Sequence, residues 1–155
     1  DNTLDDYHVA VAHKNTLHKE QGPIKNYKYF FSKFCNVLVT PMNSRENLYT
    51  FGLLPWTHII VWPGKGILLI SYPPQRIDQC SLEIKLASAT LSTKDLEDWK
   101  INILNFLGED KVIVESVQKS YRGKFKLGPP NRLEQRIIHW QEVYKEFLQA
   151  YGISF

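Results

Sequence analysis

Four residues have the types and spacing that metal chemistry needs. Asp5, His8 and His13 lie close together in LDDYHVAVAHK, and Asp110 sits far along the chain in GEDKVIVESVQ. Imidazole nitrogens and carboxylate oxygens are ordinary ligands of divalent iron and zinc. Ideal helix geometry puts His8 and His13 about 140° apart, so they do not share a face as histidines four apart do. That spacing argues against a zinc-protease arrangement. It allows an open site in which two imidazoles, reached over a locally distorted helix, and one distant carboxylate hold one face of an ion. Metal-free readings stand beside this one. His8 shares an apolar stripe with Leu4, Tyr7 and Val11, where a lone histidine is usually a hydrogen-bonded core residue. Asp110 lies on an apolar stripe too, and a buried carboxylate without a partner is costly. A bend at Gly108 would turn it to solvent, or Lys111 or Arg122 would pair with it. A closed structural zinc site would need His18 or Glu20 as a fourth ligand.

The elements that must position these residues follow from periodicity. Residues 2 to about 18 read as a helix ended by Gln21-Gly22-Pro23. The aromatic and basic run IKNYKYFFSKF gives no clear assignment. CNVLVT, HIIVW, GILLISY and QCSLEIKLAS read as strands. The last of these alternates Leu82, Ile84 and Leu86 against Glu83 and Lys85, which gives it one wet face. Short turns between the strands predict an antiparallel meander.

Ser92 with Asp95 forms a capping box that opens a long helix. Trp99, Ile103, Leu107, Asp110, Val114, Val117 and Tyr121 share one of its faces, and Gly123 ends it. Asn131 with Glu134 forms a second capping box, before a last helix striped by Leu133, Ile137, Trp140, Tyr144, Phe147 and Tyr151. Strands and helices in separate runs predict an α+β fold, an antiparallel sheet wrapped by long helices, with room for a ligand between the layers.

Composition narrows the function class. The chain has 155 residues, 43% hydrophobic and 23% charged, with a net charge of +3. That is an ordinary globular composition with room for one core. The charge is too small to argue for nucleic acid, and the basic cluster at Lys119, Arg122, Lys124 and Lys126 is of the size of a solvated loop. No apolar run is long enough for a membrane span. No signal peptide is read at the N-terminus, so the expected setting is cytoplasmic. Cys35 and Cys80 match no zinc or iron–sulfur spacing and read as free thiols.

The Asp5, His8, His13 spacing, with Asn2 before it and Tyr7 next to the first histidine, resembles the iron-binding segment of Rieske-type non-haem iron oxygenase α subunits. GEDKVIVESVQ resembles that family's late helix, with Asp110 on the position of the third ligand. Glu115, Gln118 and the final LEQRIIHWQEVYKEFL resemble the branch that includes choline monooxygenase and carnitine oxygenase. The resemblance implies a START-like helix-grip catalytic domain spanning 1–155. It implies a mononuclear Fe(II) held by His8, His13 and Asp110, with open positions for O2 and water. Asp5 would link that iron to the Rieske [2Fe-2S] cluster of a neighbouring subunit, and Asp6 is the rival candidate. Substrates would be small organic molecules, an aromatic ring or a quaternary amine, hydroxylated by a mono- or dioxygenase reaction. Electrons would come from a reductase or ferredoxin, and the full-length protein would be a homotrimer.

Neither cysteine has a histidine two residues later, as a Rieske cluster requires. The cluster is therefore expected in an N-terminal part of a longer protein, or lost with its electron supply in a natural truncation, and little turnover is expected from this fragment alone. Tyr27, Tyr29, Phe30, Phe31, Trp56, Trp62 and Tyr72 either line the cavity, where they would suit an aromatic ring or a cation, or serve as core. A metal-free helix-grip module that binds an apolar ligand or a protein partner is the alternative function.

Overall fold

The computed structural model describes residues 26–42, 46–122 and 134–153. The helix expected over 2–18 lies outside the described residues, and so do Asp5, His8 and His13. Six strands form one antiparallel sheet in the order β1-β2-β3-β4-β5-β8. They are β1 (Lys28–Ser32), β2 (Cys35–Pro41), β3 (Asn47–Leu53), β4 (Thr57–Trp62), β5 (Gly66–Ser71) and β8 (Glu83–Ala87). Between β5 and β8, β6 (Pro74–Arg76) and β7 (Gln79–Cys80) make a separate ribbon. Two helices follow, α1 (Thr93–Arg122) and α2 (Gln135–Ala150). This is the α+β class with the expected meander. Among the described residues no helix is long and apolar enough to cross a membrane.

Two strands had no assignment from periodicity, and the register explains why. β1 sends Tyr29 and Phe31 to the same side as Leu38 and Asn36 of β2, while Phe30 points the other way with Val37. In β3, Tyr49 and Phe51 share one side with Val39 and Val37, and Thr50 and Gly52 the other with Leu38 and Asn36. Both faces of these strands carry apolar or aromatic groups, so period-two alternation is lost. β8 keeps it, with Ile84 and Leu86 turned inward and Glu83 and Lys85 exposed. The stretch expected as one strand over QCSLEIKLAS divides, because Gln79–Cys80 pairs with Pro74–Arg76 and only Glu83–Ala87 joins the sheet.

The two helices share one face of the sheet. α1 packs over the β5–β8 side, where Leu68, Ile70, Trp99 and Leu107 form the buried core with Ile60, Ile84, Leu86 and Phe106 around them. Its start is the expected capping box: Ser92 Oγ donates to Asp95 Oδ2 at 2.6 Å, and the Asp95 backbone N–H donates to Ser92 Oγ at 3.2 Å. Gly108 makes no break, and the helix runs unbroken through it. The expected stripe is buried only in its first half. Trp99 and Leu107 are buried, whereas Val114 and Val117 are 62% and 43% exposed. α2 lies over β1–β4. It begins at Gln135 with Glu134 as the N-cap residue, which makes no side-chain capping bond, so Glu134 is not the third residue of a box. The stripe that α2 buries is also shifted from expectation: Val143 is buried, while Ile137 and Tyr144 are exposed.

The β4–β5 turn sets a packing constraint on the core. Gly66 sits at φ +154, and a Cβ there would collide with the Ala87 carbonyl oxygen and come within 3.0 Å of the Trp99 ring. Lys65 Nζ lies over the Trp62 and Trp99 rings at 4.4 and 5.1 Å. Gly66→Ala is expected to cost roughly 2–4 kcal/mol, the sum of backbone strain and overpacking. Gly108, by contrast, has no atom within 4 Å of a Cβ position. Gly108→Ala should stabilise the helix by about 0.5–1 kcal/mol. Urea midpoints that moved the same way for both variants would contradict this packing.

Candidate functional site

The inner face of the sheet carries a row of residues in register: Phe31, Asn36, Gly52, His58 and Ile70. α2 sets Arg136, His139, Trp140 and Val143 against its β1–β4 side. These positions are spaced 0, 3, 4 and 7, one helix face. The apolar stripe expected on this helix, Ile137, Trp140 and Tyr144 among its members, shares Trp140 with this face and leaves out Arg136 and His139. The signal for Arg136 is the same as that for Asp110: a charged side chain at core spacing.

Hydrogen bonding runs in one direction through the cluster. Arg136 Nε donates to Asn36 Oδ1 at 2.6 Å, which fixes the orientation of the amide. Asn36 Nδ2 then faces His139 Nδ1 at 3.4 Å and must donate to it. His139 Nε2 in turn donates to the Ser32 carbonyl at 2.8 Å. Asn36 is 1% exposed, so each of its groups needs these partners. Phe31 packs on the His139 ring at 5.1 Å, and Trp140 stacks on His58 at 6.0 Å and 13°. Tyr72 meets His58 edge-on at 6.3 Å.

The charges are unusual. Burial and the neighbouring Arg136 guanidinium hold His58 down at about 4, so the imidazole is neutral at pH 7. Burial also lowers Arg136, opposed by the Tyr29 phenol and the Cys35 thiol. Arg136 forms no salt bridge among the described residues, and its Nη2 is buried without a hydrogen-bond partner. A buried donor left without an acceptor costs about 1–3 kcal/mol, more when charged.

Asp110 lies on the α1 side of the same layer. It is half-buried, and its carboxylate helps to raise the Tyr72 phenol above the usual range, second to burial and ahead of Cys80. Tyr72 packs against the buried core of the sheet. Asp110 is therefore not turned outward by a bend at Gly108. Lys111 pairs with Glu115 at 3.8 Å. The other three expected site residues, Asp5, His8 and His13, lie outside the described residues. Among the described residues no group of three or more His, Cys, Asp and Glu is placed to hold a metal.

Of the aromatic residues expected either to line a cavity or to fill the core, Phe31 and Tyr72 contact the histidine cluster, while Phe30 and Trp56 are 57% and 42% exposed. Both cysteines are free, as expected. A groove of about 350 Å³ opens between the β1–β2 turn and the end of α2, lined by Lys33, Phe34, Val143, Glu146, Phe147, Ala150 and Tyr151. Lys33 Nζ covers the Phe34 ring there at 5.3 Å. No family model matches the chain, and no curated protein or solved structure matches it.

Proposed function

We propose that this chain is the catalytic domain of a Rieske-type non-haem iron oxygenase, a helix-grip fold that hydroxylates a small organic substrate with O2. The observation that carries the reading is Asp110: a half-buried carboxylate on the long helix, acting on the phenol of Tyr72. A third iron ligand belongs in such a place, between helix and sheet. His8, His13 and Asp110 would hold the Fe(II), which supplies O2 activation when bound. Asp110 contributes one anionic oxygen donor. Tyr72 stays protonated at pH 7 and keeps an O–H available beside it. Asp5 would couple the iron to the Rieske centre of a neighbouring subunit in a trimer, with electrons from a reductase or ferredoxin. The setting would be cytoplasmic.

A metal-free ligand-binding module is the second reading. The Arg136 cluster favours it, because a polar site is assembled on the α2 half without any metal donor set. Anaerobic Fe(II) titration of the full chain separates the two. The oxygenase reading expects uptake of one iron. It expects Asp110→Asn, and His8→Ala with His13→Ala, to weaken binding by more than the roughly 10–100-fold that outer partners of a metal site cost. Equal iron uptake by wild type and all variants, or none by any, would leave the metal-free module.

A further inference from the structure

We propose that the outer face of α1 docks on the same face of a second copy of this chain, with the two helices antiparallel and Gly108 of each at the crossing. Glu97, Ile101, Leu104, Gly108, Val112 and Lys119 are all exposed, and Glu115 completes their stripe. On an ideal helix the stripe is about 80° wide, and its centre lies about 140° from that of Trp99, Ile103 and Leu107, which pack on the sheet. Three of its members are aliphatic: Ile101, Leu104 and Val112 are 49%, 48% and 67% exposed. Apolar groups aligned on the solvent side of a helix mark a contact surface.

The order of residues along the stripe selects the occupant. From Glu97 to Lys119 the steps are 4, 3, 4, 4, 3 and 4 residues, the same from either end, with Gly108 in the middle. A two-fold contact joins a surface to itself, so each residue before the axis meets the residue equally far beyond it. Leu104 then meets the partner's Val112. Ile101 meets the stem of the partner's Glu115, whose carboxylate is paired with Lys111 at 3.8 Å on its own helix. Glu97 meets the partner's Lys119, and symmetry forms that ion pair twice. Glu97 uses Oε1 on Lys100 at 2.9 Å, and a carboxylate has a second oxygen for the partner's cation. A parallel pair would instead set Glu97 on Glu97 and Lys119 on Lys119, and would align the two helix dipoles. Gly108 suits the crossing point. No atom lies within 4 Å of a Cβ there, so the bare backbone is open to the partner's helix. Glycine weakens a lone helix relative to alanine, and close approach is what it offers instead.

The test is sedimentation equilibrium of the 155-residue chain between roughly 10 µM and 1 mM. A monomer–dimer equilibrium is expected in that range. Leu104→Glu sets a carboxylate against the partner's Val112 and should weaken association at least about tenfold. Glu97→Lys should weaken it about two- to tenfold, and Glu97→Lys with Lys119→Glu should restore it. Gly108→Ala should weaken association while it raises the urea midpoint of the dilute monomer, so the two readouts move in opposite directions. These positions are exposed, and far-UV circular dichroism should match the wild type. Should Leu104→Glu fail to fold, the charge-reversal pair still decides. A chain that stays monomeric to 1 mM, as it would if another segment of its own covered the face, overturns the proposal. So does an oligomer indifferent to Leu104→Glu, or a double charge reversal that fails to restore what Glu97→Lys removed. Iron uptake does not enter these measurements, so this contact and the iron reading stand or fall separately.

Discussion

Asn36→Leu should destabilise the protein by about 3 kcal/mol, while the double variant Asn36→Leu with Arg136→Met should recover much of that loss. The asymmetry follows from what each change leaves behind. Leucine shares the branched outline of asparagine, though it is bulkier, and offers no acceptor. It removes the 2.6 Å bond from Arg136 Nε and the contact to His139, and Asn36 is almost wholly buried, so water cannot substitute. A hydrogen bond to a charged group contributes about 1.5–3 kcal/mol, and the orphaned guanidinium adds a desolvation cost. Methionine keeps much of the arginine stem and removes the charge, so the pair of changes replaces a half-satisfied polar cluster with apolar packing. A double-mutant cycle by urea denaturation should report a coupling of about 1.5–3 kcal/mol. Additive effects within about 0.5 kcal/mol would mean that the two side chains do not act as a unit. They would also remove the support that holds Arg136 against the sheet.

Acid should weaken the fold through one histidine. His58 has a folded value of about 4 against the usual 6.5, because burial and the Arg136 charge both oppose protonation. Between those values the unfolded chain binds the proton and the folded chain does not. Stability is therefore complete above pH 6.5 and falls as the pH drops toward 4. The full span corresponds to about 3 kcal/mol. His58→Phe should flatten the stability profile over pH 4 to 6.5, while it preserves a ring for Trp140 and Tyr72 to pack on. Arg136→Met should raise the His58 value part-way, since burial, the larger cause, remains. A wild-type profile that is level from neutrality to pH 4 would refute this assignment.

The two halves of the fold differ in how far they could be read from the chain. Helix α1 was legible because its cues are local: the Ser92–Asp95 box and the Trp99, Ile103, Leu107 spacing need nothing from elsewhere, and both are found. The edge strand β8 was legible for the same reason, with polar and apolar residues alternating on its two faces. β1 and β3 were not, because both faces of each carry apolar or aromatic groups and the period vanishes. Val114 and Val117 have the right spacing for a core, yet the sheet does not cover them. Asp110 was singled out from periodicity as a charge at a core position, and its approach to Tyr72 came from the packing of α1 over the sheet. The Arg136–Asn36–His139–Ser32 chain was beyond sequence reading, because residues about a hundred positions apart meet only when α2 crosses β1 and β2. Local periodicity assigns secondary structure and flags misplaced charges. Which misplaced charge acquires a partner, and which is left with an open valence, depends on contacts between distant segments.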